Sequence, residues 1–223
     1  MSKQILDVQR FVFVTGGTGY IGSCAIAALL AKGHRVRALA RPGSQQKLPP
    51  GCEVALGNAL DGATFADQVA PADTFLQLVG VAHPGPSKAA QFESIDLVSA
   101  RESVRAAVQA RIAHFIYLSV AHPVSVMRAY QDVRIRGEAT IRQARLSATM
   151  LRPWYVVGPG HWWPIALLPF YGIAELVPSM RESARRAGLV TIKQMVRAIV
   201  AAVESGPTAA EPRVLDVHTI RRA

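Results

Sequence analysis

Residues 11–22 read Phe-Val-Phe-Val-Thr-Gly-Gly-Thr-Gly-Tyr-Ile-Gly, and no other stretch constrains the fold as much. The continuous apolar run Phe11–Val14 is the mark of a strand buried on both faces. A helical pattern follows over Tyr20–Ala31, and Lys32-Gly33 stops it. Between them, glycines stand at 16, 19 and 22. Gly16 lets the chain turn sharply. Gly19 removes a side chain where an anionic group would approach the backbone, and Gly22 lets the helix pack close to the strand. The free N–H groups at the helix start then face that anion.

The alternation continues along the chain. Strands are expected at His34–Ala40, Glu53–Leu56, Asp73–Val79, Ile112–Ser119 and Ala148–Leu151, with a last edge strand at Val214–Val217. Helices are expected at Lys88–Ala110, Val126–Arg145 and Thr191–Glu204, and Asp61 is placed to cap a short one. Strands alternating with helices specify an α/β fold, a doubly wound parallel sheet of Rossmann type. A chain of 223 residues, half of it apolar, supports one sizeable core, so residues 1–223 are read as a single domain. Its segment at about 154–190 is rich in Pro, Gly and aromatics and is expected to be a small substrate lid or an interface.

Composition narrows the class. Two cysteines, Cys24 and Cys52, suggest neither a disulfide framework nor a metal centre, and a reducing cytoplasm is the expected compartment. The N-terminus does not read as a signal peptide. The most apolar window, Trp162–Pro178, is interrupted by Pro164, Pro169 and Glu175 and is not expected to span a bilayer. The net charge of +10 favours an anionic ligand. The arginines are dispersed, with no basic block interleaved with aromatics, so nucleic acid is not expected.

The glycine-rich turn, with a buried strand before it and a helix after it, points to the diphosphate of a nicotinamide dinucleotide. Preference for NAD usually requires Asp or Glu at the end of the second strand. The sequence there is Leu39-Ala40-Arg41, with no acid. A guanidinium suits a 2′-phosphate, so NADP(H) is the favoured cofactor and NAD(H) the alternative. Arg41 is the leading selector, and Ser44 or Lys47 could assist.

These features, taken in order over about residues 10–160, resemble the short-chain dehydrogenase/reductase superfamily. The likeness is greatest to its extended and atypical branches, the NAD-dependent epimerase/dehydratase-like and NmrA-like proteins. Besides Thr15–Gly22, the resemblance is carried by Gly57–Asp61, Phe115–Ser119, Tyr130–Arg134, Glu138, Leu151–Pro153 and Val157–Gly160. It implies a dinucleotide held by Thr15, Gly16, Thr18, Gly19, Tyr20, Ile21 and Gly22. Arg41, Asn58 and Ala59 would lie at its adenosine end, and Leu78, Val79, Gly80 and Pro153 along its course. It implies a catalytic Tyr130, with Ser119 or Ser125 as the hydroxyl that polarises a carbonyl.

The resemblance is incomplete at one place. The family's lysine, four residues beyond the tyrosine, is Arg134 here. The i, i+4 spacing puts Tyr130 and Arg134 on one helix face. A guanidinium can stabilise a tyrosinate by charge, but it does not lose a proton at working pH, so a lysine-type relay is closed. Two readings follow. One is an NADP-dependent oxidoreductase acting on a small, mostly apolar carbonyl or quinone-like substrate. The other is a non-catalytic NADP(H)-binding redox sensor or assembly factor. A nucleotide-sugar epimerase or dehydratase is a further alternative, disfavoured by the short C-terminal part.

The loops at the carboxyl ends of the strands would form an apolar, aromatic pocket, with His83, Trp154 and Trp162 as candidate substrate contacts. The segment 162–178 is read first as lid or core, and otherwise as a homodimer contact or a peripheral membrane contact.

Overall fold

A computed structural model describes residues 9–124, 126–161, 188–207 and 211–223. Seven parallel strands form the main sheet: β1 (Phe11–Thr15), β2 (Arg35–Ala40), β3 (Glu53–Leu56), β4 (Thr74–Gln77), β5 (His114–Leu118), β6 (Ala148–Leu151) and β9 (Arg213–Leu215). Their order across the sheet is β3-β2-β1-β4-β5-β6-β9. The chain runs outward one way from β1 to β3 and then crosses back to β4. A crevice therefore opens between β1 and β4 at their carboxyl ends. This is the Rossmann-type α/β fold expected from the alternation. A second sheet pairs β7 (Tyr155–Val157) with β8 (Leu189–Thr191) in parallel.

Alternation along β1 explains why both faces of the sheet are dry. Val12 and Val14 face helix α1 (Tyr20–Ala31) and helix α5 (Ile192–Ser205), where Ile26, Leu29, Met195 and Ile199 are fully buried. Phe11 and Phe13 belong to the opposite core, with Phe75, Phe115 and Ile141. There Phe13–Phe75 and Phe75–Phe115 are each 5.2 Å apart between ring centroids. Thr191 caps α5 in a reciprocal pair of hydrogen bonds with Gln194, which is why this helix starts where the sequence predicts.

The long helix expected over Lys88–Ala110 is not uniform. A 3₁₀ turn, Pro86–Lys88, leads into α2 (Ala89–Gln91), then a π-helical turn, Phe92–Leu97, then α3 (Val98–Gln109). A π turn inserts extra backbone and rephases the helix, a device common beside functional sites. Helix α4 (Arg128–Gln143) is entered through Met127 in the left-handed region, φ 59°. The edge strand expected at Val214–Val217 instead ends at Leu215. Asp216 accepts a hydrogen bond from the Thr219 amide at 2.8 Å and starts helix α6 (Val217–Arg222), so Val217 is helical.

Candidate dinucleotide and substrate site

The glycine turn closes around the end of β4. Gly16 has φ +80°, and a Cβ there would stand 2.7 Å from the Leu78 carbonyl carbon. Only glycine satisfies both the backbone angle and the approach. The Leu78 amide donates to the Thr15 carbonyl at 3.0 Å, drawing the two strand ends together. At Gly22 a Cβ would overlap the Gly16 carbonyl, so the helix sits directly against the turn. Gly19 begins α1 with no side-chain cap, and no acid stands in the first turn. The amides there are thus left for an external anion.

Two cavities meet over this turn, sharing Gly16, Gly19, Leu78, Gly80, Val81 and Ala82. The first, of about 500 Å³, runs towards the end of β2 and includes Thr18, Arg41, Asn58, Ala59, Val79 and Lys88. The second, of about 250 Å³, runs towards β5 and β6 and includes Tyr20, Ile21, Gly22, His83, Ser119, Tyr130, Arg134, Pro153 and Trp154. Arg41, Lys88 and Arg134 line this continuous crevice, and among the described residues no Asp or Glu does. Its length, its bare amides and its cationic lining fit a dinucleotide, which would supply or accept hydride at its nicotinamide ring.

The structure therefore gathers almost all the residues expected from the sequence. Ser44 and Lys47, expected to assist Arg41, do not line the crevice, and neither does Thr15. Thr15 shares the face of Phe11 and Phe13 and is fully buried. Strand alternation turns it under the sheet, so its contribution is its carbonyl. Asn58 uses its side-chain oxygen to accept from the Leu60 amide at 3.1 Å, so its NH₂ is the group left to offer a ligand. Trp162, Ser125 and the segment 162–178 lie outside the described residues.

The three catalytic candidates sit together, but with unexpected commitments. The Ser119 hydroxyl donates to Glu138 at 2.7 Å, so its hydrogen is not directed at a carbonyl in the cavity. Glu138 is 1% exposed and also receives Arg152 Nε at 2.8 Å and His122 Nε2 at 3.4 Å. Burial alone would raise its pKa, yet the donors His122, Arg152 and Ser119 outweigh it and hold the carboxylate at about 2. Arg134 donates to the Leu118 carbonyl at 2.7 Å and to Asp96 Oδ1 at 2.5 Å. Tyr130 packs on Phe92, ring centroids 4.9 Å apart, with the guanidinium carbon of Arg134 5.2 Å from its ring centre.

The contacts of several site residues were not anticipated. Asp96 comes from the π turn. An acid between Ile95 and Leu97 was the available signal. Glu138 continues the stripe Tyr130, Arg134, Glu138 at i, i+4 and i+8, a spacing readable in the sequence. Lys88 donates to the carbonyls of Ala82 and His83 at 2.7 and 2.9 Å, tying down the loop after β4. His161 lies between Tyr20 and His83 in a stack with centroid spacings of 4.3 and 5.0 Å. Nothing local in the sequence brings those three rings together.

A family model described as NAD(P)H-binding matches residues 16–158, well over half of the chain. The chain belongs to this NAD(P)H-binding family. The fold is shared with a protein described as a short-chain dehydrogenase/reductase superfamily member from Agrobacterium tumefaciens, at a TM-score of 0.68 and 18% identity over 92% of this chain and 77% of the other. Among curated proteins, this NAD(P)H-binding chain is 29% identical over 141 residues to a 3-beta-hydroxysteroid dehydrogenase of Mycolicibacterium neoaurum. It is 27% identical over 186 residues to a ceramide reductase of Caulobacter vibrioides. The matches take in 60% and 81% of this chain, but 37% and 57% of those longer proteins. The fold is shared with the Bordetella bronchiseptica enzyme WbmH, solved in complex with NAD+. That likeness has a TM-score of 0.66 at 20% identity and covers 88% of this chain and 73% of the other. Among the described residues, no helix is long and apolar enough to cross a membrane.

Proposed function

We propose that this protein is an NADP(H)-dependent oxidoreductase that acts on a small, mostly apolar carbonyl or quinone-like substrate. The observation that carries the reading is the lining of the crevice. It runs from Arg41 to Tyr130 past uncapped helix amides, with cations and no carboxylate among its described residues. An acid at the end of β2 would bind a ribose diol and repel a 2′-phosphate. Ala40 and Arg41 instead favour the phosphate. At the other end, Ile21, Val120, Pro153, Trp154 and Val156 give the cavity apolar walls. Steroids and ceramides, named for two relatives, are apolar substrates of the kind such walls accept.

Calorimetric titration with NADPH and NADH tests the cofactor. NADPH should bind at least about tenfold more tightly, and Arg41→Ala should remove most of that difference. Equal or stronger binding of NADH overturns the assignment. Turnover of NADPH with a panel of quinones, aldehydes and ketones tests the activity.

A second reading has its own support. The Ser119 hydrogen is given to Glu138 and the Arg134 charge is matched by Asp96, an arrangement suited to holding a dinucleotide without turnover. Tight NADPH binding with no hydride transfer to any member of the panel selects this sensor or assembly role.

A further inference from the structure

The Asp96–Arg134 pair lies directly beneath the reacting end of the crevice. Arg134 is 2% exposed and Asp96 is fully buried. One carboxylate oxygen of Asp96 meets Arg134 Nη2 at 2.5 Å, and the other accepts the Val81 amide at 3.0 Å. Arg134 Nη1 is held by the Leu118 carbonyl at 2.7 Å. The guanidinium is thereby fixed to the ends of β4 and β5 and to the π turn. Its carbon lies 5.2 Å from the Tyr130 ring centre and 5.8 Å from that of Tyr117. Gly80 makes room for the pair, since a Cβ there would overlap Arg134 Nη2 and come within 3.1 Å of Asp96 Oδ1.

A lone guanidinium this close, in so dry a place, would strongly favour a tyrosinate. With Asp96 in contact, Tyr130 faces two opposite charges whose fields largely cancel. We infer that Asp96 is a positioning residue that keeps Arg134 electrically quiet beside Tyr130, so that Tyr130 stays the neutral phenol and serves as a proton donor.

The groups facing that phenol are Arg134 on its own helix, Asp96 on the π turn and Tyr117 on β5; Phe92 completes the packing. Burial raises the Tyr130 pKa, Arg134 opposes the rise and Asp96 adds to it. Asp96 is itself pushed up by burial, against the pull of Arg134 and the Val81 amide. Arginine suits the arrangement because it stays charged, whereas a lysine there could trade its proton. The charge arrangement stands on geometry, and only the use of the proton rests on the proposed activity.

The test is the phenolate signal in ultraviolet difference spectra of the full chain across alkaline pH. One of the five tyrosines is isolated by subtracting Tyr130→Phe. Asp96→Asn leaves Arg134 unmatched and should lower the ionisation of Tyr130 by about one pH unit or more, a tenfold change. A smaller shift overturns the inference. Should Asp96→Asn fail to fold, the double variant Asp96→Asn/Arg134→Gln keeps the test. With both charges gone, Tyr130 should titrate within about half a unit of wild type. A larger displacement shows that Arg134 acts as a live cation in the native protein and overturns the idea. Absence of NADPH binding, measured in parallel on wild type, would remove the proposed function while leaving this titration standing.

Discussion

Ser119 and Glu138 are joined by a 2.7 Å hydrogen bond in which the serine hydroxyl donates and the buried carboxylate accepts. The bond links the end of β5 to helix α4, and Arg152, following β6, meets the same carboxylate. Two strand ends and a helix are thus anchored on one acid just behind the cavity.

That arrangement separates two roles for Ser119. Ser119→Ala should cost about 1 kcal/mol of stability, the usual worth of a hydrogen bond, and leave NADPH affinity within about twofold. A hundredfold loss of kcat with unchanged stability would instead return Ser119 to a polarising role. Glu138→Gln leaves Arg152 without its counter-charge. It should cost about 3 kcal/mol by urea unfolding, since Glu138 is dry although Arg152 is partly exposed.

Stability should fall in mild acid, and His114 is the first cause. It is fully buried beside Thr149, and burial, then the charges of Arg213 and Arg10, lower its pKa from 6.5 to about 4. The unfolded chain therefore takes up a proton that the folded chain refuses. Stability is complete above pH 6.5 and is lost as the pH falls towards 4, by about 3 kcal/mol in all. Glu138, lowered from 4.5 to about 2, adds a further loss as the pH falls between those values. Unfolding curves of His114→Gln should lose their slope between pH 6.5 and 4 while keeping the loss at lower pH. An unchanged slope assigns the proton uptake elsewhere.

Gly22→Ala should be far worse than an ordinary helical Gly-to-Ala change, which is normally favourable by about 1 kcal/mol. The new methyl meets the Gly17 Cα at 2.8 Å and the Gly16 carbonyl carbon at 2.9 Å, both backbone, so the turn itself must move. We expect a loss of several kcal/mol and at least about a tenfold weaker NADPH affinity. Circular dichroism melting and calorimetry on the same sample check both.

The Tyr20–His161–His83 stack lines the smaller cavity. Removing its middle ring with His161→Ala should change KM for an organic substrate by about three- to tenfold, the worth of one aromatic pair. NADPH affinity should stay within about twofold. Equal effects on both would place the stack at the dinucleotide instead.

The parts legible in the chain were those set by neighbours in sequence. The run Phe11–Val14, the glycines at 16, 19 and 22 and the absence of an acid at Leu39–Arg41 each carry a local backbone or charge requirement, and they specified the parallel sheet and the course of the crevice. The helix pattern over Lys88–Ala110 hid its π turn, because apolar periodicity does not report one added residue. Val214–Val217 read as a strand because its apolar residues outweighed the capping power of Asp216.

What tertiary structure alone decided is which polar groups answer one another. Tyr130 and Arg134 are neighbours by helical spacing, but the acid that matches Arg134 is 38 residues away on another element. Ser119 meets Glu138 across 19 residues, and His161, in the loop after β7, stacks on Tyr20 at the start of α1. A charge or hydroxyl buried away from water must find a partner wherever the fold offers one. Local sequence therefore sets the scaffold and the course of the crevice, while the charge pairing and hydrogen bonding of the polar groups around it are settled only once distant strands and helices have packed.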